Sequence, residues 1–133
     1  MRQIKYIVVH CTAGREHQTI CDLKAEFIRK GWKNPGYHYV VQRDGKVVQM
    51  LSEDKVANGV RGINEVSVHV AYIGGVDKYL NPLDNRTDAQ KQSLRLMVKK
   101  LKQQYPQAEI HGHRDFANKA CPSFDATEEY KEL

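Results

Sequence analysis

Residues 4–11 read Ile4-Lys5-Tyr6-Ile7-Val8-Val9-His10-Cys11, and this stretch decides the fold. Tyr6, Ile7, Val8 and Val9 are β-formers in a continuous run, the pattern of a buried strand. A strand of this kind needs layers on its faces, so the rest of the chain has to supply them. Period-two geometry puts His10 on the face of Val8 and Cys11 on the face of Val9.

Working outward, Thr19 followed three residues later by Asp22 predicts a capped helix start. The helix carries Ile20, Leu23, Phe27 and Ile28 as its apolar stripe and stops at Gly31. Residues 37–42 and 46–51 flank Asp44-Gly45, a strong hairpin signal. Residues 52–66 are mixed and polar and read as a loop over the sheet edge. Val68 to Ile73 returns as a strand, ended by Gly74-Gly75, and residues 76–86 form another loop around Asn81-Pro82. Thr87 with Gln90 caps a long helix whose Leu94, Met97, Val98, Leu101 and Tyr105 keep one stripe as far as Pro106. Ala108 to Gly112 predicts a short strand, residues 113–124 an irregular loop, and Asp125 with Glu128 the start of a terminal helix. There is no internal repeat and no linker. The expectation is a single α/β domain over residues 1–133, with a mixed central β-sheet flanked by helices.

Composition narrows the function. At 133 residues the chain is long enough to bury a real core, and no apolar stretch approaches a membrane span. The N-terminus lacks a signal-peptide core, which predicts a chain that is cytoplasmic as synthesised. Three cysteines, Cys11, Cys21 and Cys121, are an odd number and suggest no disulfide framework. A net charge of +5 favours polyanionic partners, among which acidic cell-wall polymers stand beside nucleic acid. Arg95, Lys99, Lys100 and Lys102 fall on the long helix as a solvated face. No aromatic-basic surface motif accompanies them, so nucleic acid is not an expected partner. Nor is a membrane.

The chemistry concentrates near the C-terminus. Cys121 follows His113 after seven intervening residues, and His10 closes the first apolar run. Two imidazoles and one thiolate suffice to hold Zn²⁺ with one coordination position left for water, which suits catalysis better than a closed structural site. His111 shares a strand face with His113 and competes for its role. His113 is preferred because it lies at the strand's end, nearer the loop of Cys121. A structural zinc site would need a fourth ligand, such as His111 or Asp125. Cys11 reads as a small buried hydrophobe and Cys21 as a residue of the helix stripe. His17, His38 and His69 have ordinary structural explanations. Tyr37, at the start of a strand after Pro35-Gly36, can point its hydroxyl into the same cleft, although a packed tyrosine is the commoner case. Lys119, two residues before Cys121, would ordinarily be a solvated loop lysine, but beside a metal-bound thiolate its ammonium is well placed to stabilise a developing oxyanion.

Five segments then carry a resemblance over nearly the whole chain: Val9-His10-Cys11-Thr12-Ala13, Gly31-Trp32 with Gly36-Tyr37-His38-Tyr39, Arg43-Asp44-Gly45, Gly112-His113-Arg114-Asp115, and Lys119-Ala120-Cys121-Pro122-Ser123-Phe124-Asp125. Together and in this order they resemble the N-acetylmuramoyl-L-alanine amidases of type 2, a family that includes small phage endolysins, to which this chain looks most similar, and peptidoglycan recognition proteins. The resemblance implies one zinc per chain held by His10, His113 and Cys121, with Tyr37 and Lys119 assisting catalysis. It implies the amidase and recognition-protein fold, and hydrolysis of the amide between N-acetylmuramic acid and the L-alanine of the stem peptide. Recognition proteins that only bind the wall typically lack the cysteine, so Cys121 argues for an enzyme. The implied partner is peptidoglycan, reached after release or export by a route other than a signal peptide, and a monomer is the default state. One departure stands out: relatives often carry a histidine near the position of Gly59.

Overall fold

The computed structural model describes residues 2–133. The segment that opens the sequence is strand β1, Tyr6–Cys11. It lies between two parallel neighbours, β4 (Ser67–Tyr72) and β5 (Glu109–Gly112). The hairpin strands β2 (Tyr39–Val41) and β3 (Val47–Gln49) extend the sheet on the far side of β4. The strand order is β3-β2-β4-β1-β5, with β3 the antiparallel member. Helices α1 (Ile20–Arg29), α2 (Asp88–Gln104) and the short α3 (Ala126–Glu129) complete the layers. The mixed sheet with flanking helices is the expected fold class. Among the described residues no helix is long and apolar enough to cross a membrane.

The two faces of the sheet do different work. Ile7, Val9 and Cys11 of β1, with Val68, Val70 and Tyr72 of β4, meet Leu94, Val98 and Leu101 of α2 in the main core. Phe124, Ala126 and Tyr130 extend that core under β5. On the opposite face a smaller cluster of Leu23, Phe27, Val40 and Ile73 seats α1, leaving the end of β1 free to line a cleft.

Both long helices start as their capping boxes predict. Thr19 accepts from the N–H of Asp22 while Asp22 accepts from that of Thr19, and Thr87 and Gln90 do the same. Gln90 goes further, because its fully buried amide also donates to the carbonyls of Val41 and Ile73 at 3.2 and 2.9 Å. Its Oε1 accepts from Arg43 as well as from the N–H of Thr87. The amide is therefore satisfied on every side and fastens α2 across the ends of β2 and β4.

Three expectations need correction. Ile28 is 75% exposed and Cys21 is exposed, so neither belongs to the buried stripe of α1. The helix seats only through Ile20, Leu23 and Phe27, and a residue one position past Phe27 is rotated by about 100° away from the sheet. The hairpin strands are shorter than the alternation suggested, with Gly45 at φ +89° making the turn. Residues 52–66, expected only as a loop over the sheet edge, also wall the cleft with the part around Asn58 to Asn64. Arg2 pins it there by donating to the carbonyls of Glu53, Asn64, Glu65 and Ser67.

Arg86 anchors the C-terminal segment. Its buried guanidinium donates to both carboxylate oxygens of Glu129 and of Asp84, and it lies 3.5 Å from the Phe124 ring centroid. The hydrogen bonds from Arg86 hold the Glu129 carboxyl below its ordinary range. A carboxyl depressed in the folded state contributes stability above its unfolded pKa of about 4.3, and that contribution is lost as pH falls through the folded value.

Two predictions follow from these contacts. Gln90→Leu removes the amide that donates to the carbonyls of Val41 and Ile73 and leaves the N–H of Thr87 without its acceptor, which destabilises by about 2–3 kcal/mol, read from urea denaturation. Thermal melting of Glu129→Gln varies less with pH below about 4 than that of the wild type, and a parallel pair of acid curves would rule out the Arg86 contact as a source of acid sensitivity.

Candidate metal centre and its cleft

Two regions far apart in sequence, the end of β1 and the segment after β5, meet where these parallel strands end. His10, near the end of β1, is 1% exposed. His113 opens a short 3-10 turn, His113–Asp115, directly after β5. Cys121 lies in the loop beyond. One donor atom from each of the three lies within 4.8 Å of the others, so the group could hold a metal ion. The His10 and His113 rings meet edge-on with centroids 4.8 Å apart, and Cys121 Sγ lies 3.9 Å from His10 Nδ1.

The loop bearing Cys121 is tied from several sides. Tyr72 donates its hydroxyl to the Pro122 carbonyl at 2.6 Å, Ser123 Oγ donates to Gly75 at 2.7 Å, and the Arg114 N–H donates to the Cys121 carbonyl at 2.8 Å. The N–H of Cys11 donates to Cys121 Sγ at 3.2 Å. This places the sulfur beside the end of β1 without any local sequence signal.

Burial dominates the electrostatics. It pushes His10 well below the ordinary imidazole range, helped by the nearby His69 and His113. His113 is lowered too, by burial and then by the charge of Lys119. Neutral imidazoles keep the lone pair that metal binding requires. The Cys121 thiol is pushed up by its contact with Cys11 and by burial, while the Cys11 N–H and Lys119 pull the other way. A cation seated among the donors favours the thiolate, because that is the ligating form.

These residues floor a cleft of about 660 Å³ whose walls include Trp32, Tyr37, Arg61 and Lys119. The Tyr37 hydroxyl donates to the Cys11 carbonyl at 3.4 Å, and its ring centroid lies 5.2 Å from that of His10. Burial, reinforced by the Cys121 and Cys11 sulfurs, raises its pKa well above the usual phenol range, so it remains a donor. Lys119 stands exposed at the rim. His111 lies outside the group, bonded to Glu109 at 2.9 Å and Asp115 at 3.1 Å. His17 is exposed, and Cys11 is buried on the α2 face.

His69 is the residue whose part at the site sequence reasoning missed. It is fully buried in β4, and its Nδ1 lies 2.8 Å from His10 Nε2. Its Nε2 is 2.9 Å from Asn64 Oδ1. His38 braces it from behind: His38 Nδ1 accepts the His69 N–H at 3.0 Å, and the His38 N–H donates to the His69 carbonyl at 2.9 Å. The alternation of β4 put His69 on the face away from Val68 and Val70. Only the register of β4 against β1 reveals that this face meets His10. The departure at Gly59 has its explanation here. A Cβ on Gly59 would stand 2.3 Å from His69 Nδ1, so the ring of His69 fills the space that a side chain at residue 59 would enter.

A mixed sheet with a His/His/Cys group at the floor of a cleft defines an α/β enzyme with a metal-competent site. Residues 1–124 match the family described as N-acetylmuramoyl-L-alanine amidase, and the chain belongs to that family. It is 39% identical over 126 residues to an endolysin of Klebsiella phage KP32, a match spanning 93% of this chain and 83% of the endolysin. Its structure is similar to that of the Ph2119 endolysin from a Thermus scotoductus MAT2119 bacteriophage, with TM-score 0.83 and 28% identity over 99% of this chain and 85% of the other. The Drosophila peptidoglycan recognition protein SA shares the fold, at TM-score 0.76 and 17% identity over 100% of this chain and 80% of the other.

Burial orders the three thiols. Alkylation of the folded protein labels the exposed Cys21 first and the buried Cys11 last, as read by peptide mass spectrometry. Equal labelling of Cys21 and Cys11 would contradict the placement of both.

Proposed function

We propose that the protein is a zinc-dependent peptidoglycan hydrolase that cleaves the amide between N-acetylmuramic acid and L-alanine of the stem peptide. The observation that carries the proposal is the His10, His113 and Cys121 group at the floor of the cleft, in a chain of the amidase family. The donor set fits zinc: two imidazole nitrogens and one sulfur, with no carboxylate among the three to favour Mg²⁺ or Ca²⁺. One ion per chain is expected, held by His10, His113 and Cys121. Zinc there supplies a water acidified to a pKa of about 7 and a Lewis acid toward the scissile carbonyl.

The chain's own residues do the rest. Tyr37 keeps its proton and offers a hydrogen bond at the cleft floor, where it steadies the developing oxyanion or the leaving amine. Lys119 brings a positive charge to the rim, close enough to influence both His113 and Cys121. Trp32 and Arg61 line the path that a glycan with its peptide would follow. The wall is reached after release or export.

The test combines metal analysis with release of amino groups from purified peptidoglycan. About one zinc per chain, with release abolished by chelator, supports the proposal. Zinc without release, on walls with either diaminopimelate or lysine in the stem, would leave a wall-binding module instead. Tyr37→Phe keeps the metal and loses about 10²–10³-fold in kcat, the range for removing an oxyanion donor. Lys119→Ala also keeps the metal and lowers kcat. Zinc added before alkylation shields Cys121 and leaves Cys21 reactive.

A further inference from the structure

We infer that Asn64 and His69 form a positioning relay behind His10, fixing which of its ring nitrogens carries the proton and so which one is free to face a metal. This rests on the metal reading proposed above, and its geometry stands without the metal.

Proton order can be read outward from the backbone. Asn64 Oδ1 accepts the N–H groups of Gly59 at 3.1 Å and Val60 at 2.8 Å, which identifies it as the amide oxygen. An acceptor of that kind 2.9 Å from His69 Nε2 requires the proton of His69 to be on Nε2. His69 Nδ1 then carries a lone pair, and it faces His10 Nε2 at 2.8 Å. His10 therefore donates from Nε2. Its Nδ1 keeps the lone pair on the side of Cys121, 3.9 Å from the sulfur. The other order would oppose two lone pairs at 2.8 Å between two rings buried from water.

The relay is braced at each link. His38 holds the backbone of His69 on both its N–H and its carbonyl, so the ring cannot drift along the strand. Arg2 holds the segment around Asn64 by donating to the Asn64 carbonyl at 3.2 Å and the Ser67 carbonyl at 3.0 Å. Gly59 is part of the device, since a Cβ there would stand 2.3 Å from Nδ1 and 2.5 Å from Cγ of His69. Residues 59 and 69 compete for one volume, and here the strand residue holds it.

Partners behind ligating histidines commonly contribute about 10–100-fold in metal affinity. His69→Leu fills the volume without an acceptor and is expected to weaken zinc binding by about that factor in chelator competition. His69→Asn returns an acceptor oxygen near the place of Nδ1 and recovers most of the loss. Gly59→Ala displaces the ring and behaves like His69→Leu. A metal-independent reading comes from long-range ¹H–¹⁵N spectra of the metal-free wild type, which are expected to show His10 and His69 each protonated on Nε2. The relay is overturned if His10 carries its proton on Nδ1, or if folded His69→Leu binds zinc as tightly as the wild type. Wild type that binds no zinc would defeat the metal reading alone, and the tautomer spectra would still decide the relay.

Discussion

An imidazole buried inside a sheet cannot turn to water for either of its nitrogens. His10 is in that position at 1% exposure, and the protein around it is arranged to meet both needs. One nitrogen meets His69 on the neighbouring strand. The other looks toward Cys121 and His113 at the cleft floor. The first contact requires β4 to lie parallel beside β1 in a fixed register, and the second requires the chain to return along β5 and fold its next loop over the strand ends. A polar side chain thus constrains a sheet whose stability comes from apolar burial.

The division of the sheet into two faces makes this possible. The face toward α2 is filled by valines, isoleucine and Tyr72, and it carries the hydrophobic stabilisation. The other face is only partly covered, because α1 seats through a narrow stripe of Leu23 and Phe27. What remains open is the cleft, walled by the loop that carries Gly59 and Asn64 and by the loop that carries Lys119 and Cys121. Hydrogen bonds hold both walls in place. Arg2 fastens one, while Tyr72, Gly75 and Arg114 fasten the other. Such loops can keep the donors in place without the rigidity of a strand at every position.

The family match covers residues 1–124, a span that includes all three donors together with Tyr37 and Lys119. Likeness to recognition proteins shows that the fold is shared more widely than any one activity. The donor group, and not the sheet, is therefore what carries the functional proposal.

Local chemistry was legible in the residues themselves. The apolar run of β1, both capping boxes, the Asp44-Gly45 turn and the stripe of α2 could all be read without coordinates, because each depends on neighbours a few positions away. His10, His113 and Cys121 could be singled out by residue type and by their place at strand ends. The width of the buried stripe on α1 could not be read, since periodicity marks a direction and not how much of the helix the sheet will cover; Ile28 and Cys21 fell outside it. By itself, then, the sequence determined the elements, the fold class and the donor types. Only the tertiary structure decided that His69 stands behind His10, that Asn64 orients it, and that Gly59 must leave room for its ring. The reason is physical: these contacts depend on the register of parallel strands joined through a long crossover, and that register is set by packing between segments some sixty residues apart, as with the separation of 59 between His10 and His69.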